Sequence, residues 1–369
     1  MSFVIDGLGT AHPPDAVTSA EGLALARVLA GPDVRTSAWL GPIYANSGVQ
    51  QRFQVVGGAA KQDILAGTTF SGSPFLPTPA NDGVGPTTAQ RMRLYEQHAA
   101  PLAVQAVAAA LREARVSPDA LTHLVTVSCT GFAAPGMDYA IITQLGLKPT
   151  VARTHVGFMG CHGALNGLRV AHAFASANPQ ARVVVCAVEL CSLHYYYGNA
   201  ADKLIANALF ADGAAAVVGQ ADPSPSPAAT WRLRASGSCV IPDSHADMGW
   251  TIGDHGFEMT LSRRVPGLIA KHLRPWLDEW LRDFGFSLHD VKSWCLHPGG
   301  PKILAAVEET LGLSPDQVAP SREVFAAYGN MSSPTVLFIL QRLRATQAPR
   351  PCVALGFGPG LVAEAALFV

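Results

Sequence analysis

Charge is scarce in this chain. Asp, Glu, Lys and Arg make up 14% of its 369 residues and nearly cancel, leaving a formal net charge of −1. No run of Lys or Arg occurs, so the electrostatic footprint of a nucleic-acid binder is missing. Long apolar runs are missing too. None reaches the ~18 residues that would suggest a membrane-spanning helix. The first residues, MSFVIDGLGTAHPP, lack the basic start and apolar centre of a secretory leader. They read as a strand and a loop, and a cytoplasmic protein is expected. The seven cysteines (129, 161, 186, 191, 239, 295 and 352) are odd in number and contain no CxxC. That argues against a disulfide scaffold and a zinc site, and for free thiols in a reducing compartment.

What is present is apolar. Such residues form 49% of the chain, enough for a large core, and the low charge suits a protein that hides surface in an oligomer. Strand and helix patterns alternate. Strands are expected at 3–5, 124–127, 151–155, 183–188, 212–218, 293–297 and 351–357. Helices are expected at 21–29, 88–114, 139–145, 161–175, 266–284, 302–311 and 333–344. Residues 66–87 read as a long surface loop, and 219–230, GQADPSPSPAAT, as a hinge. The pattern implies an α/β protein of two halves, 1–220 and 231–369, with mixed sheets covered on both faces.

Three residues carry candidate chemistry. Cys161 lies in VGFMGCHGALNGLRVA, which places its sulfur at the start of a helix, where free N–H groups favour a thiolate. A buried structural cysteine is the alternative. His297, in WCLHPGGPKIL, ends a strand before a glycine turn, the usual place for a site in an α/β fold. Asn330, in YGNMSSPTVLFIL, is either a helix cap or an amide that donates to a developing oxyanion. A Cys/His/Asn set serves hydrolases and condensing enzymes alike.

The contexts GCHGALNGLRVA, NALFADGAAAVV, LHPGGPKIL, YGNMSSPTVLFIL and GFGPGL resemble the chalcone/stilbene synthase superfamily, and more closely its bacterial type III polyketide synthases. The resemblance runs from about residue 90 to the end. It implies a thiolase-like fold, with two duplicated αβαβα halves packed together, and a homodimer with the Ala134-Pro135-Gly136 loop at its interface. It also implies acyl-CoA and malonyl-CoA as substrates, and no metal, cofactor or carrier protein. Cys161 is the implied nucleophile, with His297 and Asn330 as partners. Phe210 matches a gatekeeper phenylalanine. Met259 stands where plant enzymes place a second one, and Ala134 where they carry methionine. Cys129, Thr130, Cys191 and His194 are pocket-wall candidates, and Gly356 and Gly358 belong to the cavity-floor loop. Arg52, Gly299 and Gly300 are candidates for contact with CoA. A lowered Cys161 pKa, through an ion pair with His297, is expected. The small and flexible replacements suggest a fatty acyl starter and a pyrone or resorcinol product. A single-round ketoacyl synthase III-like enzyme, a silent scaffold and a cysteine hydrolase are the competing readings.

Overall fold

The structure, a computed structural model, describes residues 2–31, 38–77, 83–222 and 230–369. The first half carries strands β1 (Ser2–Ala11), β2 (Ala16–Thr18), β3 (Gln51–Phe53), β4 (His123–Ser128), β5 (Ala152–Gly157), β6 (Arg182–Leu190) and β7 (Asp212–Asp222). The second carries β8 (Arg232–Val240), β9 (Met248–Gly253), β10 (Gly256–Leu261), β11 (Ser293–Leu296), β12 (Cys352–Gly358) and β13 (Val362–Phe368). Helices in the first half are α1 (Ser19–Leu29), α2 (Leu40–Ala45), α3 (Gly58–Ala66), α4 (Thr88–Ala114), α5 (Met137–Leu145), α6 (Gly163–Ala177) and α7 (Ala201–Leu209). The second half adds α8 (Val265–Asp283), α9 (Pro301–Leu311), α10 (Pro315–Tyr328) and α11 (Pro334–Ala345).

One nine-stranded sheet runs β11-β12-β13-β8-β1-β7-β6-β4-β5. Read outward from the β8/β1 seam, the order β1-β7-β6-β4 is matched by β8-β13-β12-β11. The directions match as well: β4–β6 and β11–β12 are parallel, and the other neighbours in each set are antiparallel. The seam is thin, with pairs Phe3–Leu233 and Val4–Arg232 and one further bond from Ile5 N to Trp231 O.

Alternation along the strands sets the layers. In β6, Val183, Val185 and Ala187 face the cluster built with α6 and α11, while Val184, Cys186 and Val188 face the one built with α4 and α5. In β12, Cys352 and Ala354 join the α6/α11 side, and Val353, Leu355 and Phe357 pack against α8 and α9. The result is five layers, with α6 and α11 buried in the middle. Fully covered strands explain the continuous apolar runs. The fold is thiolase-like, with the five αβαβα layers arising from the two halves together.

The helix expected at 88–114 forms over that same span, opened by a capping box of Thr87 and Gln90. Three expectations need correction. β1 extends to Ala11, and β7 continues to Asp222, so 219–222 is strand: Gly219 pairs with Ile5. Of the supposed hinge, 223–229 lies outside the described residues. Of the expected surface loop at 66–87, Ala66 closes α3 and 78–82 lies outside the described residues. The described part from Gly67 on is irregular but not wholly superficial, since Phe75 and Leu76 are buried and Tyr197 Oη donates to Phe75 O at 2.5 Å.

Candidate active site

Cys161 sits on a 3-10 turn, Gly160–His162, that feeds directly into α6. Gly160 has φ +73°, and a Cβ there would meet Pro359 Cδ at 2.3 Å. Only glycine permits this approach, and it brings the loop after β12 against the cysteine turn. Ser332 Oγ donates to Cys161 Sγ at 3.5 Å and lies 3.6 Å from Cys129 Sγ. Ser332 itself has φ +55°, a conformation non-glycine residues seldom adopt.

Asn330 does not cap α11; Ser333 holds that position. Its backbone forms a bridge to Phe210, accepting from Ala211 N at 2.9 Å and donating to Leu209 O at 2.8 Å. Its Oδ1 accepts from Ser332 N at 2.8 Å. That fixes the amide, and the buried Nδ2 finds no partner among the described residues. The carboxamide lies beside the Cys161 sulfur and favours its thiolate. His297 is buried where β11 ends, and neither of its ring nitrogens has a partner among the described residues.

Burial dominates the electrostatics. It pushes the Cys161 thiol up to about 11, opposed by the Ser332 hydroxyl and reinforced by the Glu189 charge. It pushes His297 down to about 3, with His162 adding to the effect. The resting pair is therefore a neutral thiol and a neutral imidazole. The expected thiolate–imidazolium ion pair is absent because desolvation outweighs what one helix start can supply.

Two cavities meet here. An inner one of about 30 Å³ touches Cys129, Thr130, Cys161, Ser332, Gly358 and Pro359. An outer one of about 340 Å³ reaches toward Lys203, Asp254, His255 and Glu258. Cys191, Phe210, Trp250 and Met259 line both and so form the partition. Of the residues expected in the pocket, Cys129, Thr130, Cys191, Phe210, Met259 and Gly358 line a cavity. His194 lines the outer one only. Its Nδ1 accepts from Phe257 N at 2.9 Å, so Nε2 carries the hydrogen and donates to Thr130 O at 2.7 Å. Burial lowers this histidine to about 3, which keeps it neutral.

Other candidates lie outside both cavities. Arg52 is buried, donates to the Asn207 carbonyl and packs 6.0 Å from the Tyr44 ring centre. It lines neither cavity. Gly299 and Gly300 shape the turn into α9 and also line neither. A Cβ on Gly299 would stand 2.8 Å from Ile303 Cδ1, so this glycine serves packing. Gly356 is not floor but a gap between two histidines. A Cβ on it would lie 3.2 Å from His162 Cβ and 3.6 Å from His297 Cβ.

Three residues at the site escaped the sequence reading. Trp250 closes the inner cavity, with its Nε1 donating to Cys129 O at 2.8 Å. Lys203, paired with Glu258, supplies the cation at the outer mouth. Glu189 is wholly buried and accepts from Cys129 N (2.9 Å), Thr130 N (3.1 Å), Thr130 Oγ1 (2.7 Å) and Ser333 Oγ (2.7 Å). One carboxylate thus ties the end of β4 to the start of α11. A lone acid inside VVVCAVEL was the signal for it, because a charge in a buried strand must be satisfied.

The family models for chalcone and stilbene synthases match here, the N-terminal domain over residues 78–223 and the C-terminal domain over 232–369. The chain is 35% identical over 289 residues to the "Alpha-pyrone synthesis polyketide synthase-like Pks18" of Mycobacterium tuberculosis, covering 76% of this chain and 73% of that one. Among solved structures, PKS-I from the brown alga Ectocarpus siliculosus superposes with a TM-score of 0.89 at 32% identity, over 100% of this chain and 98% of that one. The C-terminal type III polyketide synthase domain of Steely1 from Dictyostelium gives 0.88 at 25% identity, over 100% and 99%. A cysteine turn, a strand-end histidine and a buried asparagine, held on this fold by a chain with these relatives, place the protein in the chalcone and stilbene synthase family, as a type III polyketide synthase.

Proposed function

We propose that Cys161, His297 and Asn330 carry out repeated decarboxylative condensation of malonyl-CoA onto an acyl-CoA starter, followed by ring closure to a pyrone, resorcinol or related product. In loading, the Cys161 proton passes to His297 and the sulfur bonds to the acyl carbonyl carbon. The bond to the CoA sulfur breaks, and the leaving thiolate takes the proton. In extension, malonyl-CoA loses CO2, and the electron pair of the broken C–C bond forms an enolate. The enolate oxygen accepts hydrogen bonds from His297 and Asn330. The enolate carbon then bonds to the acyl carbon, and Cys161 leaves as a thiolate, ready for the next thioester. The observation that supports these roles is a pair of buried groups without hydrogen-bond partners among the described residues, Asn330 Nδ2 and the His297 ring, with the Asn330 carboxamide beside the Cys161 sulfur.

The starter reading is an aliphatic acyl chain. The apolar partition of Phe210, Met259 and Trp250 supports it, while the 30 Å³ inner cavity limits what fits before Trp250 moves. The α-pyrone product named for the mycobacterial relative supports a pyrone. We also propose a homodimer formed at the open edge of β5, beside the cleft that contains Ala134-Pro135-Gly136. No metal or organic cofactor enters this chemistry, and a cytoplasmic setting suits seven free thiols. Among the described residues, no helix is long and apolar enough to cross a membrane.

The test is product mass. Incubation with malonyl-CoA and acyl-CoAs of graded length should yield products extended by several two-carbon units, and Cys161→Ala should yield none. A single two-carbon addition would favour the ketoacyl synthase III-like reading, and no CO2 release would end the proposal.

A further inference from the structure

Arg91 has no role in the scheme above, and it lines neither cavity. It is wholly buried on α4. Burial lowers its pKa to about 10, so it stays charged at neutral pH, yet no carboxylate pairs with it among the described residues. Its hydrogen bonds go to backbone carbonyls instead. Nε donates to Pro86 O at 2.8 Å, and Nη1 donates to Leu193 O and, at 3.1 Å, to Tyr195 O. The guanidinium lies 5.4 Å from the Phe75 ring centre. Gly256, at φ +110°, leaves room for it: a Cβ there would stand 3.1 Å from Cζ and Nε. A buried cation without a counter-charge is costly, so what it holds together matters.

Three segments meet on the start of α4. Leu193 and Tyr195 flank His194, and Pro86 follows closely on Val84. The third segment is the β9/β10 turn. Thr88 N donates to Asp254 O at 2.7 Å, Gly256 N donates to Thr88 Oγ1 at 2.9 Å, and Thr88 Oγ1 donates to Gly253 O. Val84, Cys191, His194, Asp254 and Phe257, all from these segments, line the outer cavity. The inner cavity, at about 30 Å³, holds little more than a water molecule, so an acyl chain on Cys161 has to extend past the partition into the outer one. We propose that Arg91 is a positioning residue that fixes this wall and so determines which starter chain the outer cavity accepts, with Thr88 holding the hairpin side of the same wall.

The charge has a second effect. His194 Nδ1 accepts from Phe257 N, so it carries no hydrogen while the hairpin is seated. A protonated ring would set two N–H groups against each other at that bond. Burial is the chief influence that keeps His194 neutral, and the Arg91 charge adds to it. Arg91 therefore holds the turn that carries His194 and preserves the tautomer by which His194 holds Phe257. Phe257 stands two residues before Met259, which pairs with Trp250 in the partition. None of these contacts involves Cys161, His297 or Asn330.

The inference rests on the condensing chemistry proposed above, but its test reads selectivity among starters rather than turnover. kcat/KM is measured for acyl-CoAs of graded length in the wild type and in Arg91→Met, with CO2 release from malonyl-CoA as the control. CO2 release should stay within about twofold, while the ratio of kcat/KM between the best and the worst starter should fall about tenfold, chiefly through KM. Arg91→Lys, which keeps the charge and part of the hydrogen bonding, should recover some of that ratio. Thr88→Val, which frees the hairpin turn alone, should flatten it to a smaller degree. An unchanged ratio in variants that melt like the wild type overturns the proposal. So does a fall in CO2 release that matches the fall in condensation, because Arg91 would then support the whole site and not the starter wall. If Arg91→Met does not fold, Arg91→Lys and Thr88→Val decide by the same ratio. If the unaltered protein releases no CO2, the condensing chemistry fails on its own account. Arg91 is then judged by the dissociation constants of the same acyl-CoAs for Cys161→Ala, which should spread with chain length and converge when Arg91→Met is added; constants that do not converge overturn the proposal.

Discussion

At the scale of single residues, the site is a contest between burial and a few hydrogen bonds, and burial wins at Cys161 and His297. Replacing Asn330 by Ala removes one oxyanion donor and should slow malonyl-CoA decarboxylation roughly 10²- to 10³-fold. Cys161 alkylation should slow far less, because the carboxamide is the smallest of the influences on the thiol and burial the largest; measuring both rates on one preparation checks this. Glu189 offers a stability test. Glu189→Ala leaves two buried N–H groups and three hydroxyls, those of Ser128, Thr130 and Ser333, without this acceptor and should cost about 3 kcal/mol or more, read as a fall in melting temperature. Cys161, His297 and Asn330 were legible because each is embedded in glycine-rich turns that few other purposes require. Arg52 misled because a cation in a sequence reads as solvent-facing, whereas Arg52 is the one buried residue of β3 and is held by the carbonyl of Asn207 in α7. Glu189 and Arg91 each depend on contacts with distant segments, and spacing along the chain does not encode those.

At the scale of elements, the β9/β10 hairpin decides the shape of the cavity. Its register sets Met259 opposite Trp250, and cross-strand partners project from the same face. Both side chains therefore reach the partition together. Trp250→Ala should merge the inner and outer cavities. The expected outcome is a shift toward longer starters in the product spectrum, with a loss of about 1 kcal/mol from the freed Cys129 carbonyl. An unchanged starter profile would mean that the indole already swings aside. This hairpin was not legible. MGWTIG and GFEMTL do alternate apolar with polar or glycine residues, but each is only six residues long, and the glycines at 249, 253 and 256 read as breaks in a loop. The long helices α4 and α8 were read almost to the residue, because their periodicity persists over many turns. The helix α10 was missed because Pro315 and Pro320 read as breakers, although Pro315 occupies the first turn, where it is tolerated.

At the scale of the whole molecule, β5 is the one exposed edge of the first half's sheet, with mostly exposed or half-buried residues. Such an edge invites pairing with another strand. Phe132 and Tyr139, 47% and 57% exposed, stand nearby at the cleft. Two 38.7 kDa chains should sediment together, and the double change Phe132→Glu, Tyr139→Glu should yield the single chain. A monomer in the unaltered protein would refute the dimer. The two-fold repeat of strand order was legible only as an echo between GCHGALNGLRVA and GNMSSPTVLFIL, the starts of α6 and α11. Those two helices meet in the middle layer, where the core most restricts their sequences.

The seam has a consequence for biosynthesis. Ser2–Ala11 is paired only with Asp212–Asp222 and, briefly, with residues near 232. On the ribosome this apolar strand emerges some two hundred residues before either neighbour exists. Until then it is an uncommitted edge, the kind of segment that holding chaperones bind. The joint between the halves is therefore closed late in synthesis, by a strand that was made early.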